Sequence, residues 1–306
     1  MNQLNEMITG IFLFLVAVAS VGAKPSTHQH IPERRLRVAV VDFGGSTFGR
    51  VVADRVAGEL KASEQLEIVD RTGSKMAAHG AGYSGSLNLS ITEARDLGAA
   101  IGCDFYLLGD AQLLRRSKFE VPVYFEAYAA IFLVSSRSGK LLRWERPSFE
   151  AKTPEVAETN LLESLGTEEF RQRYLQAIQK AAADEKQQRE LSLGITAPVI
   201  EEVPEDDKIA EASGLRLPRP FRRLKPKYPD SAARADVEAI VDVLVDLDAQ
   251  GEVNHVDIAR WAGFGLDEAS VDTVRQLHFF PALRGGTPVP IRVLVRYNFR
   301  KSTPGK

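Results

Sequence analysis

Side chains able to do covalent chemistry are few and scattered in this sequence. Its one cysteine, Cys103, can form neither an intrachain disulfide nor a thiolate metal site. The five histidines, His28, His30, His79, His255 and His278, show no ligand spacing. Ser46 lies in FGGSTFG, where phosphate could be cradled between a strand and a helix. The loop lacks both the G-x-G-x-x-G spacing and a P-loop lysine, and a plain strand-to-helix turn explains it. Ser46 also has no G-x-S-x-G frame and no partner histidine, so hydrolase chemistry is not expected. AAIGC superficially looks like a lipid-acceptor site, but no leader precedes it, and Cys103 reads as a small buried hydrophobe. No catalytic residue, metal site or cofactor is expected.

The chemistry that the sequence does offer is main-chain hydrogen bonding along Ile291, Arg292, Val293, Leu294, Val295, Arg296 and Tyr297. Alternation puts Ile291, Val293, Val295, Tyr297 and Phe299 on one face. Arg292, Arg296 and Arg300 share the other with Leu294 and Asn298. A strand at the edge of a small sheet exposes unpaired N–H and C=O groups, which can template a partner strand. The arginines would then either favour acidic flanks on a bound peptide or guard the edge against aggregation. Proline at Val293 or Val295 is expected to remove a donor and abolish strand addition.

These residues need elements to position them. A chain of 306 residues, 44% hydrophobic, can bury two ordinary cores, and a net charge of -2 gives no support to nucleic-acid binding. The uncharged run from Ile8 to Ala23 ends in small residues at positions that a signal peptidase reads. Residues 1–23 are therefore read as a signal peptide, or as an N-terminal membrane anchor if retained. Over 36–150, RLRVAVVDF, a helical run after GGS, QLEIVDR, a Ser90–Glu93 capping box and CDFYLLGDAQL alternate as strands and helices, and a hairpin follows. This is an α/β domain with a mixed sheet. Residues 151–193 form a helical extension with an apolar stripe at Phe170, Tyr174, Ile178 and Ala181. Residues 194–226 read as a linker, acidic then basic and rich in proline, whose basic part could touch anionic lipid or an acidic partner.

RVAVVDF, LEIVDR and ARDLGAAIGCDFYLLGD resemble the periplasmic domain of the CsgG and penicillin-binding-protein-activator group, which implies an envelope interaction module rather than an enzyme. Residues 227–301 resemble the TonB C-terminal domain. The residues that carry this are Tyr228-Pro229 with Ala232, AIVDVLVDL, DAQGEV, VNHVDIAR, GLDEASVDTVRQLHF, Phe280-Pro281-Ala282, GTPV and the strand to Phe299. The chain departs from the family at VEAI, where a glycine is usual, and at RWAGFG, where Ser-Ser-Gly is common. The resemblance implies a small α+β unit, a three-stranded antiparallel sheet with one covering helix. By residue pattern Asp267 caps that helix, Val271, Val274 and Leu277 recur along it at three-residue spacing, and Phe279, Phe280 and Pro281 end it against the core. The resemblance also implies an outer-membrane transporter or other envelope protein as partner, bound as an added strand on the last strand's edge. Tyr228 and Pro229 are expected to lock the entry of the chain. TonB-family transducers couple to an inner-membrane motor complex through an N-terminal helix that usually holds a histidine, and Met1–Ala23 has none. The expected location is the periplasm or cell envelope, and a soluble periplasmic adaptor is the alternative to a transducer.

Overall fold

The first sheet is mixed, in the order β2–β1–β3–β4–β5. Its strands are β1 (Leu36–Phe43), β2 (Leu66–Ile68), β3 (Phe105–Arg116), β4 (Tyr124–Ser135) and β5 (Leu141–Glu145), and β6 (Ser148–Ala151) also pairs with β4. β1 runs parallel to β2 and β3, whereas β4 is antiparallel to β3, β5 and β6. The computed structural model describes residues 34–117, 123–192, 200–203 and 212–300, so the signal-peptide or anchor reading of residues 1–23 lies outside them. Among the described residues no helix is long and apolar enough to cross a membrane.

Both faces of this sheet are buried, which is why β3 and β4 read as apolar runs rather than alternating ones. Ala127, Ala129, Ile131 and Leu133 of β4 face a core made with α1 (Thr47–Lys61), α4 (Pro154–Leu165) and α5 (Glu168–Ser192). The expected stripe of Phe170, Tyr174, Ile178 and Ala181 packs into that core. Ala130, Phe132 and Val134 point the other way, where α2 (Arg71–Gly80) and α3 (Ile91–Ile101) pack. The Ser90–Glu93 capping box opens α3, with both reciprocal hydrogen bonds formed.

Helices cover only part of that second face. The rest is covered by the C-terminal half, and one apolar cluster runs through Tyr106, Phe132 and Val134 into Val241, Val243, Trp261 and Phe264. Trp261 stacks on Phe132 with centroids 5.9 Å apart, and Phe264 meets Phe132 edge-on at 5.6 Å and Trp144 at 5.4 Å. The Trp261 indole N–H donates to the Gly139 carbonyl at 3.0 Å. These aromatic residues belong to RWAGFG, one of the two stretches that depart from the family pattern. The other, VEAI, is held by Asn88, whose side chain accepts from the Ile240 N–H at 3.0 Å and donates to the Ile240 and Trp261 carbonyls at 2.7 Å each.

The docking loop is tightly turned. Gly263, Phe264 and Gly265 have φ of 70°, 54° and 78°. A Cβ on Gly263 would lie 2.5 Å from the Phe132 ring, so only glycine fits. Phe264 holds a left-handed conformation that bulky residues avoid, at a cost of order 1–3 kcal/mol, and its two aromatic contacts keep it there. Asp267 does not cap the following helix, contrary to expectation. The N-cap position of α7 (Leu266–Val274) is Gly265, and the Asp267 carboxylate instead accepts from the backbone N–H groups of Ala262 and Gly263 at 2.8 and 2.9 Å. It thereby fixes the loop that docks on Phe132.

Trp261→Ala should empty the centre of the shared core and lower stability by about 3–5 kcal/mol. Denaturant unfolding followed by circular dichroism and by Trp144 fluorescence should then separate into two transitions, where the parent shows one. A pH effect is also expected. Burial pushes the Asp267 pKa from 3.8 up to about 6, against the pull of the two N–H groups. The folded chain thus holds this proton more tightly than the unfolded chain. The corresponding stability is present below about pH 4 and lost as pH rises through 6. Asp267→Asn should flatten that part of the melting-temperature profile.

Candidate partner-binding edge

The second sheet is built around β10 (Ala239–Leu247), with β11 (Val253–Arg260) on one side and β15 (Ile291–Phe299) on the other. β10 and β15 pair over nine residues without a slip, from Ala239↔Phe299 to Leu247↔Ile291. Val241, Val243, Val245, Leu247, Ile291, Val293 and Phe299 turn inward, beneath α7 and against the shared core. Leu277, expected on the helix, lies beyond its end but is still buried. Phe279 is buried while Phe280 is exposed, so only the first of the aromatic pair closes the core.

The stretch read as a linker is partly paired. β8 (Leu215–Arg216) adds to β13 (Ala282–Arg284), which forms a hairpin with β14 (Thr287–Val289) across Gly285-Gly286. β9 (Arg219–Pro220) adds to β12 (Phe279–Phe280). Just after them Tyr228 donates its hydroxyl to the Val237 carbonyl at 2.5 Å and packs its ring 6.1 Å from Phe299. Pro229 leads into α6 (Asp230–Arg234), where Ser231 donates to the Phe264 carbonyl at 2.6 Å and Ala232 is fully buried. Tyr228 and Pro229 therefore sit where the chain enters the module.

The arginines of β15 are already engaged. Arg292 donates from Nε and Nη2 to the two Asp246 oxygens at 2.6 and 2.9 Å, and Arg296 does the same to Asp242 at 2.6 and 2.9 Å. Each pair consists of directly opposed residues of the register. Such forked pairs satisfy two carboxylates that are almost fully buried on the outer face. Arg296 is therefore committed to its own sheet, as is most of Arg292. Of the two roles expected for these arginines, selection of acidic flanks therefore has no wholly free guanidinium on Arg292 or Arg296 to act through. The signal was available: Asp242 and Asp246 are four apart, as are Arg292 and Arg296, and antiparallel pairing matches those spacings.

The backbone gives a correction. The Val203 N–H donates to the Arg292 carbonyl at 3.0 Å, from the side of β15 away from β10. Alternation puts the N–H and C=O of Arg292, Leu294 and Arg296 on that outer side, while Ile291, Val293, Val295 and Tyr297 bond inward to β10. Proline at Val293 or Val295 would thus break the sheet rather than block the edge. Leu294, 51% exposed and outward-bonding, is the position to alter. The sheet also has a fourth strand beyond the expected three: β7 (Glu201–Glu202) runs parallel to β15 beside Ile291 and Arg292.

The other candidates serve structure. The Ser46 hydroxyl accepts from Gly49 N–H at 2.8 Å and caps α1. Burial pushes the Cys103 thiol up, and its sulfur lies 3.4 Å from the Ser136 hydroxyl. His255 pairs with Asp257 and His278 with Glu252 on the surface. Among the described residues no cluster of His, Cys, Asp or Glu could hold a metal. Asp242→Asn should loosen the outer face by about 1–2 kcal/mol in urea unfolding, the lower range for a charged hydrogen bond because Arg296 stays half exposed.

Residues 225–300 match the family described as Gram-negative bacterial TonB protein C-terminal. Protein TonB of Xanthomonas campestris pv. campestris is 37% identical over 75 residues, 24% of this chain and 34% of that protein. The chain thus spans about a third of the length of the curated relatives it matches. The Pseudomonas aeruginosa TonB C-terminal domain aligns at 20% identity over 29% of this chain and 90% of that one, with a TM-score of 0.25. LpoB of E. coli aligns at 12% identity over 48% and 84%, with a TM-score of 0.28. The spaced sequence matches and the β10–β15 sheet thus fall on the same stretch, residues 225–300, that matches the TonB C-terminal family.

Proposed function

We propose that this chain is a cell-envelope protein whose TonB C-terminal domain engages an outer-membrane partner, a transporter above all, by strand addition to β15. The observation that carries this reading is the outward-bonding backbone of Leu294 and Arg296 on an otherwise complete sheet. Main-chain hydrogen bonds would give the grip, and the outer-face residues around Leu294 the selectivity. The α/β domain, read as an envelope interaction module, would carry the edge as a rigid mount. Coupling to an inner-membrane motor depends on a retained N-terminal segment. The soluble adaptor or scaffold is favoured by a specific observation, the core shared between Phe132 and Trp261. That core holds the module against the α/β domain instead of leaving it on a long tether.

A photoreactive benzoylphenylalanine placed at Leu294 in growing cells should form an adduct with an outer-membrane transporter. Adding Arg296→Pro should remove the adduct while Arg296→Ala keeps it: both lose the ion pair with Asp242 and fall in melting temperature alike, but only proline loses the outward N–H. An undiminished adduct in the folded proline variant would contradict strand addition at this edge.

A further inference from the structure

The short strand β7 lies on the edge that the proposed function assigns to a partner. Glu201 and Glu202 stand opposite Ile291 and Arg292 in parallel register, and the next N–H, from Val203, donates to the Arg292 carbonyl at 3.0 Å. Both glutamates meet cations. Glu201 pairs with Arg284 of β13, and Glu202 lies 3.8 Å from Arg292 Nη1, the nitrogen that Asp246 leaves unused. Val203 packs against the shared apolar cluster. The contact is short, two residues long with both side chains exposed. The rest of the sheet does not need it, since β10, β11 and β15 already form their own registers over α7.

We infer that Glu201–Val203 is a built-in occupant of the β15 edge, and that the edge takes an extended segment of two acidic residues followed by an aliphatic one. This rests on the reading of β15 as the partner site and adds the partner's chemistry and a control over access. Arg284 and the free Nη1 of Arg292 read the two carboxylates, and the apolar cluster receives the third side chain. The arginines expected to select acidic flanks do so through this one remaining nitrogen and through Arg284, not through Arg296. A partner segment of the same pattern must displace the chain's own. Tethered segments compete at an effective concentration of order 1 mM, which weakens a ligand of about 0.1 mM affinity roughly tenfold.

The test uses the full chain and a fluorescein-labelled peptide, PVIEEVPE, which copies residues 198–205. Polarisation should show about tenfold tighter binding to the double variant Glu201→Lys, Glu202→Lys than to the parent. The peptide PVIKKVPE should bind neither. Amide exchange at Arg292 should quicken in the variant and slow again when PVIEEVPE is added. Equal binding to parent and variant, with Arg292 exchange unchanged, would overturn the inference and leave the edge as a binding site. Absence of binding with Arg292 still protected would make β7 a permanent fourth strand, which also overturns it. Absence of binding with Arg292 deprotected would overturn the strand-addition reading itself.

Discussion

Phe132 sets the terms for the rest of this structure. It lies on a strand whose two faces must both be covered, and α2 and α3 do not reach across the second face. Trp261 and Phe264 supply the missing cover, so neither half of the chain has a complete core alone. Aromatic side chains bury more apolar area than any others and add pairwise attraction of about 0.5–1.5 kcal/mol through their geometry. The polar contacts follow the same seam: Asn88 satisfies the ends of β10 and β11, Arg260 lies 3.0 Å from Glu93, and Lys140 lies 3.0 Å from Asp257. Asn88 thereby satisfies backbone groups that would otherwise lie in the seam without a partner, while the two ion pairs, exposed on at least one side, add little.

Function inherits that constraint. A module tied down at one end of its sheet keeps the opposite edge in a fixed orientation. β11 faces the α/β domain through Arg260 and Trp261, while β15 is the far side of the three-stranded set. The forked Asp–Arg pairs tie β15 to β10, which would keep the outward N–H groups in line for the proposed incoming strand.

Much of this was legible in the sequence, for reasons that can be named. Strict alternation in AIVDVLVDL and IRVLVRYNF gave the two long strands, and the spaced family residues gave the module. Ser90 and Glu93 marked the start of α3. The loop departures at VEAI and RWAGFG were visible as departures, but their purpose was not, because it lies in contacts with Asn88 and Phe132 far away in the chain. α2 was not legible because its buried face consists of small residues, Ser74 and Ala78, with no large apolar side chain to mark it. β7 is two glutamates, a pair with little strand preference, and only the neighbouring edge makes them a strand. The paired spacing of Asp242, Asp246, Arg292 and Arg296 carried the cross-strand bridges, but it takes a register to see them. The same register shows which proline would test the edge.

Amide exchange along β15 in the free, full chain, resolved residue by residue, tests the central claim most directly. The account predicts slow exchange at Val293, Val295 and Tyr297, which bond to β10, and fast exchange at Leu294 and Arg296, which face outward. Uniformly slow exchange across Val293–Tyr297 would contradict it, because the edge would then already be paired along its length.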